Sequence, residues 1–212
     1  MVYQMLGIGM AFALLLFVNN RLLADLESDI AKRQQFEDEL HALNAELKSQ
    51  ATTDQLTRIA NRRYLTSVLD HEVERMKRYG GSLAIIILDI DHFKSINDRF
   101  GHPAGDSVLI GVGSILTGHI RSVDTAGRWG GEEFLVICPE TDATGAAQLA
   151  ELMRQLIEAQ NFCLPDRVTA SFGVAAARLG MTAEDLLKDA DVALYQAKAT
   201  NRNRVVVGTV SE

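Results

Sequence analysis

Residues Leu83-Ala84-Ile85-Ile86-Ile87-Leu88 form an unbroken apolar run. It is bounded by turn-forming Gly80-Gly81-Ser82 before it and by Asp89 after it. A short run of this kind, rich in isoleucine, predicts a strand covered on both faces. Such a strand needs a layer of structure above and below it. Upstream, a helix predicted over 61–79 carries Tyr64, Leu65, Val68, Leu69 and Val73 on one stripe and stops at Gly80-Gly81. Downstream, a helix follows Pro103, which suits a first turn, and runs through Val108, Leu109, Val112, Ile115, Leu116 and Ile120. Strands over 124–128 and 133–138 flank Gly130-Gly131 as a hairpin. A helix near 142–160, a strand at 168–175, a helix at 183–199 and a strand at 204–207 complete the pattern. Helices alternating with strands that include a hairpin predict an antiparallel or mixed sheet with helices on its faces, an α+β arrangement of the ferredoxin-like kind.

With 212 residues, 47% of them hydrophobic, the chain can bury one good-sized core and carry an appendage. The formal net charge of −7 argues against a general nucleic-acid binder, which needs a basic face. Any bound phosphate must be met locally, by a few cations, backbone amides or metal. Cys138 and Cys163 show no metal-type spacing and read as reduced core thiols.

The beginning of the chain differs from the rest. Within residues 2–18 only Gln4 is strongly polar, which predicts a membrane helix over 1–19 at the short end of what spans a bilayer. Arg21, Lys32 and Arg33 follow the run and no cation precedes it, so the C-terminal bulk is expected on the cytoplasmic side of the inner membrane. Residues 20–53 contain no Gly or Pro, and Leu23, Leu26 and Ile30, then Phe36, Leu40, Leu43 and Leu47, follow heptad spacing with a phase break between the two sets. A coiled-coil dimerisation stalk is predicted over 20–52.

Two acidic pairs carry the chemistry. Leu88-Asp89-Ile90-Asp91 places carboxylates at the end of a buried strand, on one face if the strand continues. Hard oxygen ligands there suit Mg²⁺, and a turn or helix cap would use the same residues. Glu132-Glu133 follow two glycines that let backbone approach a phosphate, and adjacent acids in a turn repel unless a cation is near.

The segment Arg128-Trp129-Gly130-Gly131-Glu132-Glu133-Phe134 stands in order with Asp54-Gln55-Leu56-Thr57, Asn61-Arg62-Arg63, Asp89 to Asp98, Gly101-His102-Pro103-Ala104-Gly105-Asp106 and Ala190 to Lys198. Together these resemble the GGDEF family of diguanylate cyclases, over 53–208, leaving 209–212 as a tail. The resemblance implies a fold related to nucleotidyl cyclases and polymerase palms, and a homodimer that condenses two GTP into cyclic di-GMP. By the same resemblance Asp89, the backbone carbonyl of Ile90 and Glu132 ligate Mg²⁺, with Mn²⁺ as a substitute, and Glu132 accepts the proton of the GTP 3′-hydroxyl. Asn97 and Asp106 read the guanine edge, His102 touches substrate, and Lys94, Lys198 and Arg202 meet the triphosphate and stabilise transition-state charge. Arg121-Ser122-Val123-Asp124 stands where the family binds cyclic di-GMP as an inhibitor.

Taken singly, several of these residues have plain alternatives. Lys198 and Arg202 could serve a helix dipole, Asp106 a helix start, His102 a turn, and Arg121 with Asp124 a local pair. Arg58 and Ile59 depart from the family's usual Gly-Leu, and a turn wanting positive φ would be strained by arginine; Asn201, where Gly is common, tolerates that conformation. The alternative function is a catalytically silent domain that senses GTP or cyclic di-GMP. A coiled-coil scaffold would leave the acid pairs unexplained.

Overall fold

The computed structural model describes residues 10, 15, 21, 32–37 and 52–208. The chain divides into two compact units, Met1–Ser49 and Gln50–Glu212, and the fold is that of the second. Its elements are β1 (Ala60–Asn61), α1 (Arg62–Tyr79), β2 (Leu83–Ile90), α2 (Phe93–Phe100), α3 (His102–His119), β3 (Thr125–Arg128), β4 (Glu133–Pro139), α4 (Ala143–Ala159), β5 (Ala170–Ala176), α5 (Ala183–Ala199) and β6 (Val205–Val207). Six strands form one mixed sheet in the order β1-β3-β4-β2-β5-β6. The centre, β4-β2-β5, is antiparallel, while β1 joins β3 and β6 joins β5 in parallel at the two edges.

All eight residues of β2 are buried, as its unbroken apolar run requires. The strand period of two divides them between two cores. Ala84, Ile86, Leu88 and Ile90 pack with Phe93, Val108, Val112, Leu116, Met153 and Ile157 of α2, α3 and α4. Leu83, Ile85 and Ile87 pack with Leu65, Leu69, Leu186, Ala190 and Leu194 of α1 and α5. Caps fix the helix starts: Asn61 accepts from the Tyr64 amide (3.0 Å), Asp142 from Gly145 (2.7 Å), and Thr182 with Asp185 closes a reciprocal box at α5. At Gly173 a Cβ would collide with the Ala190 carbonyl and the Leu194 amide, so α5 lies directly on β5. That close approach brings the end of α5 to the end of β2.

The sequence pattern left β1 and α2 unassigned. Helix α2 opens from His92 in a left-handed conformation, φ 56°, rather than from a capping side chain; its Phe93, Ile96 and Phe100 do carry helical spacing. The expectation that both cysteines are core thiols holds for Cys138 alone. Burial pushes the Cys138 thiol up to about 12, whereas Cys163 is exposed in a loop with φ 58°.

Of the membrane helix expected over 1–19, only Met10 and Leu15 are described; of the stalk over 20–52, Arg21, residues 32–37, which are helical, and Thr52. The rest, and the tail 209–212, lie outside the described residues. No helix among the described residues is long and apolar enough to cross a membrane, and this overturns the expected inner-membrane placement. The helices of the folded unit bury one stripe against the sheet and keep charges on the other, as Asp106 does on α3, so none presents apolar surface all round.

Candidate active site

The sheet places Asp89 at the end of β2, opposite Glu133 of β4 and Ser171 of β5. Its side chain is only 9% exposed. Lys198, in the last turn of α5, puts Nζ 2.8 Å from Asp89 Oδ2. Burial drives the Asp89 carboxyl above its ordinary value, against the pull of Lys198 and with the repulsion of Glu133 and Asp91. Glu132 is raised as well, first by burial and then by the charge of Asp89. The Ile90 amide donates to the Glu132 carbonyl (3.3 Å), which ties hairpin to strand end.

Two carboxylates are therefore held together in a setting that disfavours both charges, with one lysine as local relief. A further cation would remove that penalty. Asp89, Glu132 and the Ile90 carbonyl supply hard oxygen donors, which fit Mg²⁺. Among the described residues no group of three or more His, Cys, Asp or Glu is arranged to hold a metal. The donor set is thus incomplete by itself and suits an ion shared with substrate phosphates.

The turn between β3 and β4 is held from both sides. The amides of Trp129 and Gly130 donate to the Glu133 carbonyl, at 2.8 and 3.1 Å. The Arg128 guanidinium donates to the carbonyls of Gly130 (3.1 Å) and Gly131 (3.1 and 2.6 Å) and reaches Asp54 at 3.3 Å. Asp54 also accepts from the Thr57 amide (2.9 Å) and hydroxyl (2.7 Å). Burial would raise the Asp54 carboxyl, but Thr57 and Arg128 together hold it below the usual range. A Cβ on Gly130 would come within 2.6 Å of Glu133 Oε2, so a larger residue there would have to displace the Glu133 carboxylate. Arg62 stacks over Trp129 at 4.7 Å from the ring centroid. Spacing in the sequence gave no sign that Asp54 and Arg128 meet; the Asp54-Gln55-Leu56-Thr57 segment and the arginine two residues before Gly130-Gly131 were the available signals.

Asn97, on α2, is half-buried where α3 begins. A Cβ on Gly105 would collide with Asn97 Oδ1, so this glycine makes room for the amide. His102 and Asp106 stand exposed on the first turns of α3, after Gly101 at φ 83°. These three form one corner. Lys94 is exposed in the first turn of α2, and Arg202 is exposed just past α5 with φ 58°.

Asp91 does not join Asp89. The strand ends at Ile90, and the Asp91 carboxylate turns to the hydroxyls of Thr169 and Ser171, at 2.7 Å each. Arg121 and Asp124 close the turn before β3. Asp124 Oδ2 accepts from the Arg121 amide (3.0 Å), the Asp124 amide donates to the Arg121 carbonyl (3.1 Å), and Asp124 Oδ1 is buried without a partner. No ion pair joins the two side chains among the described residues. Because Thr125 pairs with Ile137 and Arg128 with Phe134, this turn lies at the end of β4 remote from Glu133. At ~3.4 Å per residue the two ends of β4 are about 20 Å apart.

The family model described as diguanylate cyclase, GGDEF domain, matches residues 51–204. The response regulator PleD of Caulobacter vibrioides is 45% identical over 162 residues, covering 74% of this chain and 36% of PleD. The diguanylate cyclase DgcP of Pseudomonas aeruginosa is 39% identical over 193 residues, covering 90% of this chain and 29% of DgcP. The chain thus spans about a third of the length of these relatives. Among solved structures, the coiled coil and GGDEF domain of DgcB from Caulobacter crescentus, in complex with c-di-GMP, superposes with TM-score 0.80 at 30% identity, covering 86% of this chain and 98% of that one. The active GGEEF domain of a diguanylate cyclase from Vibrio cholerae gives TM-score 0.69 at 35% identity, covering 72% and 99%.

Proposed function

Because this chain belongs to the GGDEF family of diguanylate cyclases, we propose that it condenses two GTP molecules into cyclic di-GMP and releases two pyrophosphates. The observation that carries this reading is the meeting of Asp89, Glu132 and Lys198 at the end of β2. Asp89, Glu132 and the Ile90 carbonyl would hold Mg²⁺, which supplies charge neutralisation for the triphosphate and lowers the pKa of the attacking hydroxyl.

Each protomer holds one GTP. Asn97 and Asp106 recognise the guanine edge, for which an amide and a carboxylate offer matching donors and acceptors. His102 borders the same corner. As the 3′-oxygen of one nucleotide bonds to the α-phosphorus of the other, Glu132 takes the hydroxyl proton, and the bond from α-phosphorus to the bridging oxygen breaks. The leaving pyrophosphate carries the electron pair. Lys94, Lys198 and Arg202 stabilise charge on the phosphates. With Asp89 serving as a metal ligand, Lys198, now 2.8 Å from Asp89 Oδ2, would be free to pair with substrate phosphate instead. A second step of the same kind closes the ring.

Since each protomer supplies half of the reacting geometry, the active species is a homodimer, paired through a coiled coil over 20–52. The helical residues 32–37 support this stalk, as does the coverage of 86% of the chain by a structure that comprises a coiled coil and a GGDEF domain. Arg121 and Asp124 form an inhibitory product site remote from the catalytic end of β4, with an exposed guanidinium able to meet phosphate as a planar fork. The c-di-GMP bound in the DgcB structure supports that reading.

The test is incubation of the purified full chain with GTP and Mg²⁺ beside its Glu132→Gln variant. Cyclic di-GMP from the parent and none from the variant is expected. Equal, background-level product from both would leave a silent GTP or cyclic di-GMP sensor in its place.

A further inference from the structure

Asp91 is buried, 5% exposed, and its oxygens are met by neutral donors. Thr169 Oγ1 donates to Oδ2 and Ser171 Oγ to Oδ1, each at 2.7 Å, and the Asn203 amide donates to Oδ2 at 3.1 Å. The third contact reaches furthest along the chain. It holds a turn in which Asn201, Arg202 and Asn203 are all left-handed, with φ of 84°, 58° and 45°. Three such residues in succession persist only where their surroundings over-determine them.

The surroundings do so from three sides. The Arg202 amide donates to the Ala197 carbonyl (3.1 Å), so the turn folds back on the end of α5. From α4, Arg154 Nη1 donates to Asn203 Oδ1 (2.9 Å), while Asn203 Nδ2 donates to Glu158 Oε1 (3.1 Å). Arg154 is itself fixed by Glu151 and Glu158, at 2.8 Å each. From the sheet, Asp91 holds the Asn203 amide. Asp89 and Asp91 therefore act on two successive parts of one segment: Asp89 pairs with Lys198, and Asp91 anchors the turn that carries Arg202.

We propose that Asp91 is a positioning residue which, through the Asn203 amide, fixes the left-handed turn 201–203 and so sets where the Arg202 guanidinium meets the triphosphate. This rests on the cyclase reading, in which Arg202 contacts GTP. It also gives a reason for a buried carboxylate at a strand end that takes no part in the chemistry.

The test uses the full chain and two probes, 3′-deoxy-GTP, which has no attacking hydroxyl, and guanosine. Asp91→Ala is expected to weaken 3′-deoxy-GTP binding by about tenfold, as for loss of a contact to a charged group, with guanosine binding unchanged. Asp91→Asn, which keeps an oxygen for the Asn203 amide, is expected to recover most of the loss. In an Arg202→Ala background, Asp91→Ala should add little, since the two act through one contact. Should Asp91→Ala not fold, Asp91→Ser, whose shorter side chain falls out of reach of the Asn203 amide while keeping a polar group beside Thr169 and Ser171, carries the same expectation. Equal weakening of both probes, or losses that multiply in the double variant, would overturn the proposal. A parent chain that binds neither probe would overturn the cyclase reading itself.

Discussion

Arg58 sits in a left-handed position, φ 61°, in the turn closed by its amide on the Asp54 carbonyl at 2.9 Å. The sequence already marked it as a strained replacement for glycine, and the backbone agrees. Left-handed geometry costs an L-residue ~1–2 kcal/mol, of which glycine's greater chain entropy cancels a part. Arg58→Gly should therefore raise the unfolding free energy by roughly 0.5–1 kcal/mol in urea titrations. Asn201 was legible in the same way, but Arg202 and Asn203 were not, because nothing local in those residues requires positive φ. Their conformation is imposed by Asp91, Arg154 and Glu158, from distant parts of the chain. Asp91 itself was misplaced by strand alternation, which stops applying where β2 stops.

At the scale of elements, the turn at 54–58 and the β3–β4 hairpin behave as one piece, joined by Asp54 and Arg128. With its partners holding the Asp54 carboxyl below the usual range, the folded state binds fewer protons there than the unfolded chain. Its contribution to stability is thus present above the ordinary aspartate value of 3.8 and lost as pH falls through the depressed value. Asp54→Asn should cost about 1–3 kcal/mol near neutral pH, and the gap from the parent should close on acidification in melts taken at successive pH values. A gap that stays constant with pH would show that the charge is not what matters. Strands β2 to β5 and helices α1, α3, α4 and α5 were legible because apolar periodicity and caps specify them. Strand β1, two residues long, is created by pairing with β3, and α2 is launched by the left-handed His92. Neither event leaves a periodic signal strong enough to read alone.

At the scale of the whole molecule, the sheet sets the two proposed sites apart along β4, with Glu133 at one end and the Arg121–Asp124 turn near the other. On the proposed reading, control by product would act at a distance from the chemistry. Arg121→Ala should make turnover less sensitive to added cyclic di-GMP by about tenfold or more while the initial rate stays near the parent's. Inhibition curves on the two proteins check this, and superimposable curves would remove the inhibitory role. The residues that meet at the catalytic end lie far apart in the chain. Their convergence was legible only through the ordered motifs, because local spacing cannot show that α5 returns Lys198 to Asp89. At the beginning of the chain only Met10 and Leu15 of the apolar run are described, and no helix among the described residues is long and apolar enough to cross a membrane.

The shared site is the central claim, and mixing protomers tests it most directly. Parent and Glu132→Gln chains, unfolded together and reassembled at set ratios, should give cyclic di-GMP in proportion to the square of the parent fraction, because a mixed dimer cannot form both phosphodiester bonds. Product that rises linearly with the parent fraction would mean that one protomer completes the reaction alone, and would contradict the account.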